Sequence, residues 1–312
     1  MGRAAVGFMV ERKNILVLPA EGTIATEVTA CLRYEKSVRL ILLDNDTANL
    51  DAVILLPGAP SHEGTNHIPV IDWSTGADAQ ADTGDTYACY TSRDGKLIYC
   101  ATLAFKGGEV SLQPATAKVR AAATGLSHKP GCWTLTPEPE GGYRRLEGLD
   151  AQSLRLHRLF GANLILLSLF EAFGQPVALL PAPANTLQLA RGGEIVVPQG
   201  PVFLDLDDTL LVHGAPHDGF GAFMQRADAA GVAIHLITRH FREPEITLRE
   251  HGIDPGCFAR IHWLTDGTPK SDMVRAHGGT AFIDDSFKER REVAMALAIP
   301  TFAADMLAAL RF

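Results

Sequence analysis

The sequence is short of positive charge and of paired cysteines, and its aromatic residues are only 7% of the chain. Lys and Arg number 28 against 36 Asp and Glu, a net charge of −8, which argues against a nucleic-acid groove, since phosphate backbones reward basic patches. The five cysteines (Cys31, Cys89, Cys100, Cys132, Cys257) form no C-x-x-C pair. Neither a disulfide framework nor a zinc site is expected, in keeping with a reducing cytoplasm. Long apolar runs are also missing. The greasiest stretch, "FGANLILLSLFEAFG" (Phe160–Gly174), is too short for a bilayer and contains Asn163 and Glu171, so it is expected to be a buried helix and no membrane partner is expected. "MGRAAVGFMVERKN" has too short an apolar stretch for a secretory signal, and Val6 stands where a myristoylation site wants Ser or Thr.

What is there is 46% hydrophobic and 312 residues long, the composition of a globular α/β chain with two domains. Residues 14–56 alternate strand and helix: "NILVLP", "GTIATEVTACLRYE", "VRLILLD", "DAVILLP". "PAEGT" lacks the G-x-G-x-x-G spacing of a dinucleotide site, and Asp44 is read as a strand-end acid with a ribose contact as its alternative. The segment from Pro57 to Asp85 reads as loops, with His62 and His67 solvated. Two alternating runs around Asp94-Gly95 predict a hairpin. "APANTLQLARGGEIVVPQG" reads as a loop and linker, which sets the domain boundary at 195/196.

From there a regular rhythm predicts strands at 202–205, 232–237, 260–264, 280–283 and 299–302, and helices at 218–230, 243–252, 270–277, 286–297 and 303–311. Gly231 and Gly252 mark helix ends. This is the pattern of a doubly wound parallel sheet, whose ligands lie beyond the carboxyl ends of the strands. Polar residues stand at those ends: Asp205, Asp207 and Thr209 in "LDLDDTL", Thr238 in "LITRH", Lys270 in "TPKSD", Asp284 and Asp285 in "FIDDS". Like charges so close resist ionising together, and a divalent cation is the simplest compensation. Asp208 is assigned to the turn.

This ordered set resembles the haloacid dehalogenase-like hydrolase superfamily, over residues 198–312. The resemblance implies Asp205 as a nucleophile forming an aspartyl-phosphate and Asp207 as general acid and base. It implies Thr238 and Lys270 as holders of the phosphoryl group. It further implies Mg²⁺ held by Asp205, the carbonyl of Asp207, and one of Asp284 and Asp285. The intervals of 33 residues from Asp205 to Thr238 and 32 from Thr238 to Lys270 leave no room for an inserted lid. Specificity would then rest on "LLVHGAPHDG", with His213 and His217, and on Arg239. The expected substrate is a small phosphorylated metabolite or another phosphomonoester.

Residues 14–175 resemble, faintly, an abbreviated carbamoyl-phosphate-synthase-like ATP-grasp protein, through "NILVLPAEGTIATEVTACLR", "YACYTSRDGKLIYC" with "KGGEV", and "GANLILLSLFEAFGQP". That likeness implies, as alternatives, an ATP-dependent carboxylate ligase or a nucleotide-binding remnant. The family's E-x-N-P-R motif would fall on "LEGLDA", with Glu147 kept and Leu149 in place of Asn. A third reading is a binding protein that senses a phosphorylated ligand.

Overall fold

The structure is a computed structural model. It describes residues 13–18, 23–33, 38–41, 52–55, 70–72, 86–149, 151–175, 179, 186–189 and 194–312. Asp44, His62, His67 and most of "PAEGT" lie outside the described residues.

Three sheets carry the mixed α/β architecture. The first is parallel throughout, order β2-β1-β3-β4, from β1 (Lys13–Leu18), β2 (Val38–Ile41), β3 (Ala52–Leu55) and β4 (Val70–Asp72), with helix α1 (Thr23–Arg33) between β1 and β2. β4 corrects the reading of 57–85 as loop alone: three residues pair with Val53–Leu55. Ile15 and Ile54 are fully buried beside Val28 and Leu32 of α1.

The second sheet contains β5 (Tyr87–Thr91), β6 (Leu97–Lys106), β7 (Glu109–Pro114), β8 (Gly131–Pro137) and β9 (Tyr143–Glu147), all antiparallel. Helices α2 (Ala117–Gly125), α3 (Ala151–Leu159) and α4 (Leu164–Ala172) accompany it. The hairpin turns where Asp94-Gly95 was expected to turn it. Asn163, which interrupts the apolar run, caps α4 by accepting the Leu166 N–H. The supposed linker instead supplies β10 (Thr186–Leu189) and β11 (Ile195–Val196) to this sheet.

The third sheet is parallel: β12 (Val202–Leu204), β15 (Ile234–Thr238), β16 (Arg260–Trp263), β17 (Ala281–Ile283) and β18 (Thr301–Phe302), in the order β16-β15-β12-β17-β18. A small hairpin, β13 (Leu211–Val212) with β14 (Ala215–Pro216), follows β12. Val202 and Leu204 point into the cluster containing Phe223 of α5 (Phe220–Ala229) and Leu248 of α6 (Pro244–Glu250). Phe203 points the other way, to Val274 of α7 (Lys270–Ala276) and Val293 of α8 (Phe287–Leu297). Successive strand residues face opposite sides, so β12 is sandwiched between two helical layers. Its buried side chains each contribute roughly 1.5–3 kcal/mol. Gly231 and Gly252 take φ of 66° and 71° just past α5 and α6, the left-handed stop expected of them.

The final segment departs from expectation. Residues 304–309 form a 3-10 helix, and Leu310–Arg311 become β19, which pairs with β11 at the edge of the second sheet. The sequence boundary at 195/196 therefore falls inside β11, and one apolar cluster runs across it, from Val110 and Leu187 to Leu236 and Phe302. No helix among the described residues is long and apolar enough to cross a membrane.

Candidate active site

In the third sheet β12 is central and the strand order reverses around it. In open parallel sheets ligands bind at such a reversal, beyond the carboxyl ends of the flanking strands, here β12 and β17. Asp205 and Asp284 are the first residues past those ends. Leu204 pairs with Ile283, and Asp205 N donates to Ile283 O at 2.9 Å, which brings the two acids side by side. Both are buried, at 6% and 0% exposure.

Lys270, the first residue of α7, reaches between them. Its Nζ donates to Asp205 Oδ1 at 2.7 Å and to Asp284 Oδ2 at 2.6 Å, and the residue is 3% exposed. Oxygens of Asp205, Asp284 and Asp285 lie within 4.8 Å of one another. These are the residues that could hold a metal. Burial, and then the neighbouring Asp284 carboxylate, push the Asp205 carboxyl well above the usual range although Lys270 opposes them. Asp284 is also raised by burial, against the pull of Lys270. Burial lowers the Lys270 ammonium, but the two carboxylates outweigh it and leave it raised.

The loops are fixed by their own polar groups. Thr209, fully buried, accepts the Asp285 N–H at 2.8 Å, joining the D-x-D-x-T turn to the acidic pair. Asp284 Oδ1 accepts the Ser286 N–H at 2.8 Å, and Ser286 caps α8. Arg290 Nη1 donates to the carbonyls of Asp284 and Asp285. Asp208 has φ of 56°, a left-handed turn that Asp tolerates, and its N–H closes on Leu211 O.

Asp207 stands apart from the buried acids. Its side chain is 52% exposed, and its carboxylate meets His240 Nδ1 at 2.8 and 3.0 Å. His240 is buried, with Nε2 2.8 Å from Thr247 Oγ1 of α6 and its N–H donating to Thr238 Oγ1 at 3.1 Å. Arg242 Nε also donates to Thr247 Oγ1, and Trp263 Nε1 donates to His240 O at 2.8 Å. A lone His two residues past Thr238 carries no spacing signal, so sequence reasoning missed it. Its place in the loop after a predicted strand was the available clue.

The remaining predicted residues each have contacts of their own. Thr238 is fully buried at the end of β15. Arg239 Nη2 donates to Thr268 O at 2.8 Å and Nε faces Glu289 at 3.4 Å, tying the loop before α7 to α8. His213 is exposed with φ of 56° in the small hairpin. His217 is buried, its Nδ1 accepts the Gly219 N–H at 2.9 Å, and Asp218, Ala304 and Arg33 of α1 are near it. Burial pushes that imidazole down to about 4.

In the second sheet Glu147 is held in two bonds by Arg145, at 3.1 and 3.2 Å, and Leu149 is buried among Leu154 and Ile165. No family model matches the chain, and no curated protein matches it.

Proposed function

We propose that the chain is a Mg²⁺-dependent phosphohydrolase of the haloacid dehalogenase-like kind, acting on a phosphomonoester through residues 196–312. The observation that carries this reading is the convergence of Asp205, Asp284, Asp285 and Lys270 at the strand-order reversal. Two buried carboxylates share one ammonium there with a third close by, and a crowding of this kind is what a divalent cation would relieve. An all-oxygen donor set suits Mg²⁺, which, when bound, would neutralise the acids and the phosphoryl oxygens.

The chain's own residues would supply the rest. Lys270 engages Oδ1 of Asp205 and leaves the second carboxylate oxygen for attack. That oxygen forms a bond to phosphorus as the bond to the leaving oxygen breaks, giving an aspartyl-phosphate. Asp207 gives its proton to the leaving oxygen. It then takes a proton from the water that attacks phosphorus, which frees phosphate and restores Asp205. His240, fixed by Thr247, would hold the Asp207 carboxyl in place for both transfers. Thr238 would steady the phosphoryl group from the neighbouring strand.

The ligase alternative gains little support from the second sheet, where Glu147 is committed to Arg145 and Leu149 to the core. Phosphate release with Mg²⁺ from an aryl phosphate and a panel of sugar phosphates tests the proposal. Release by the wild type that is lost in Asp205→Asn is the expected result. Equal inactivity, or equal activity, of the two proteins would defeat it.

A further inference from the structure

Among the described residues six large apolar side chains are exposed, and two of them, Phe241 and Trp263, contact His240. Phe241 is 82% exposed, and its ring lies 4.5 Å from the His240 ring. Trp263 is 42% exposed and is anchored to the His240 carbonyl. Ile246 is 43% exposed and precedes Thr247, the other partner of His240. The guanidinium of Arg242 sits over the Phe241 ring at 5.6 Å, and Glu250 fixes its far side. His240 in turn holds Asp207, the one acid of the set that is exposed.

Exposed apolar surface rimmed by polar groups marks a contact site. Its position decides what it contacts. The acid that protonates a leaving group must stand beside that group, so whatever departs from phosphorus lies along this edge. Two aromatic rings and a guanidinium offer flat faces, which suit another flat, polarisable ring by stacking. They suit a polyol poorly, because its hydroxyls would lose water without gaining partners. A docked protein would ask for about 800 Å² from each partner. Two aromatic side chains at His240 are matched in size to a single ring system.

We propose, building on the phosphohydrolase reading, that Phe241 and Trp263 form a stacking platform for the leaving group, so that the substrate is a phosphomonoester carrying a planar aromatic ring such as a nucleobase. Adenosine 5′-monophosphate and ribose 5-phosphate test this cleanly. Both release phosphate from a primary ribose oxygen, and they differ in the base.

With the full chain and Mg²⁺, kcat/KM is expected to favour the nucleotide by about tenfold or more. Phe241→Ala should bring that ratio to within about twofold of one, and Phe241→Trp should restore it. Because Phe241 is largely exposed, its replacement puts little at risk in the fold. A wild-type ratio near one, a ratio unchanged in Phe241→Ala, or faster turnover of a phosphoserine peptide would overturn the platform.

If neither compound is hydrolysed, the phosphohydrolase reading is decided separately by the aryl and sugar phosphate panel, and calorimetry decides the platform. Nucleotide binding at least about tenfold tighter than sugar phosphate, and lost in Phe241→Ala, upholds it. Equal affinities overturn it.

Discussion

On the second sheet and the helix α4 that accompanies it, Glu147 and Glu171 each have partners of their own. Glu147 is clasped by Arg145, whose guanidinium also covers the Trp133 ring at 4.6 Å. Glu171 accepts from the Tyr90 hydroxyl and from the Arg93 N–H. In the parallel sheet the accounting is reversed, with Asp205 and Asp284 sharing Lys270 while Asp285 crowds the same space. The first arrangement is complete as it stands and holds strands in register. In the second, two buried carboxylates depend on a single ammonium, and the carboxyl edge of a parallel sheet is where functional groups gather. Acidic residues are thus informative through what surrounds them, not through their number.

Four experiments press on that contrast. The largest effect is expected from Lys270→Ala, which leaves two buried carboxylates without their ammonium. Without added metal, denaturant unfolding should show a loss of about 3–5 kcal/mol, and Mg²⁺ should restore part of it. A loss under about 1 kcal/mol would mean that the acids do not depend on Lys270.

His240→Ala is expected next, lowering kcat by about 10- to 100-fold with KM little changed, since it would disturb proton transfer and not binding. Steady-state kinetics separate this from a structural role, in which His240→Asn, which retains a hydrogen-bonding side chain, would fall as far. The asparagine variant should recover part of the rate.

His217 gives a smaller and pH-dependent effect. Its folded value of about 4 lies below the ordinary 6.5, so the unfolded chain binds the proton more readily. Its contribution to stability is present above the unfolded value and is lost as pH falls through 6.5 toward 4. Between pH 7 and 5 the wild type should lose about 2 kcal/mol more than His217→Gln in denaturant titrations. Parallel losses would show that burial does not depress this imidazole.

The smallest effect is expected of Glu147→Gln. Because its acid is satisfied locally, phosphate release should stay within about twofold of wild type. A collapse of activity there would shift attention to the second sheet.

The parallel sheet was legible because its three inner strands are largely apolar runs that stop at Asp or Thr. Each observed strand begins and ends within about two residues of its reading. The acids and Lys270 were legible for the same reason, lying one residue past a strand or at the head of a helix. Three things were hidden. β10 and β11 are short strands set among Pro and Gly, and their pairing with β7 and β19 decides them, not local propensity. "ADMLAALR" reads as helix from its Ala, Leu and Met, yet Leu310 is recruited into the buried cluster beside Ile195 and finishes as strand. His240 draws its meaning from Asp207 on one side and Thr247 on the other, contacts 33 and seven residues away that no local pattern announces.

The most direct measurement is chemical. Protein turning over a phosphomonoester with Mg²⁺ is quenched and treated with borohydride, which reduces an aspartyl-phosphate to homoserine, and its peptides are weighed. The expected result is homoserine at position 205, absent without substrate and absent in Asp205→Asn. Phosphate release with no reduced residue at 205, or with the mark at another acid, would contradict Asp205 as the nucleophile.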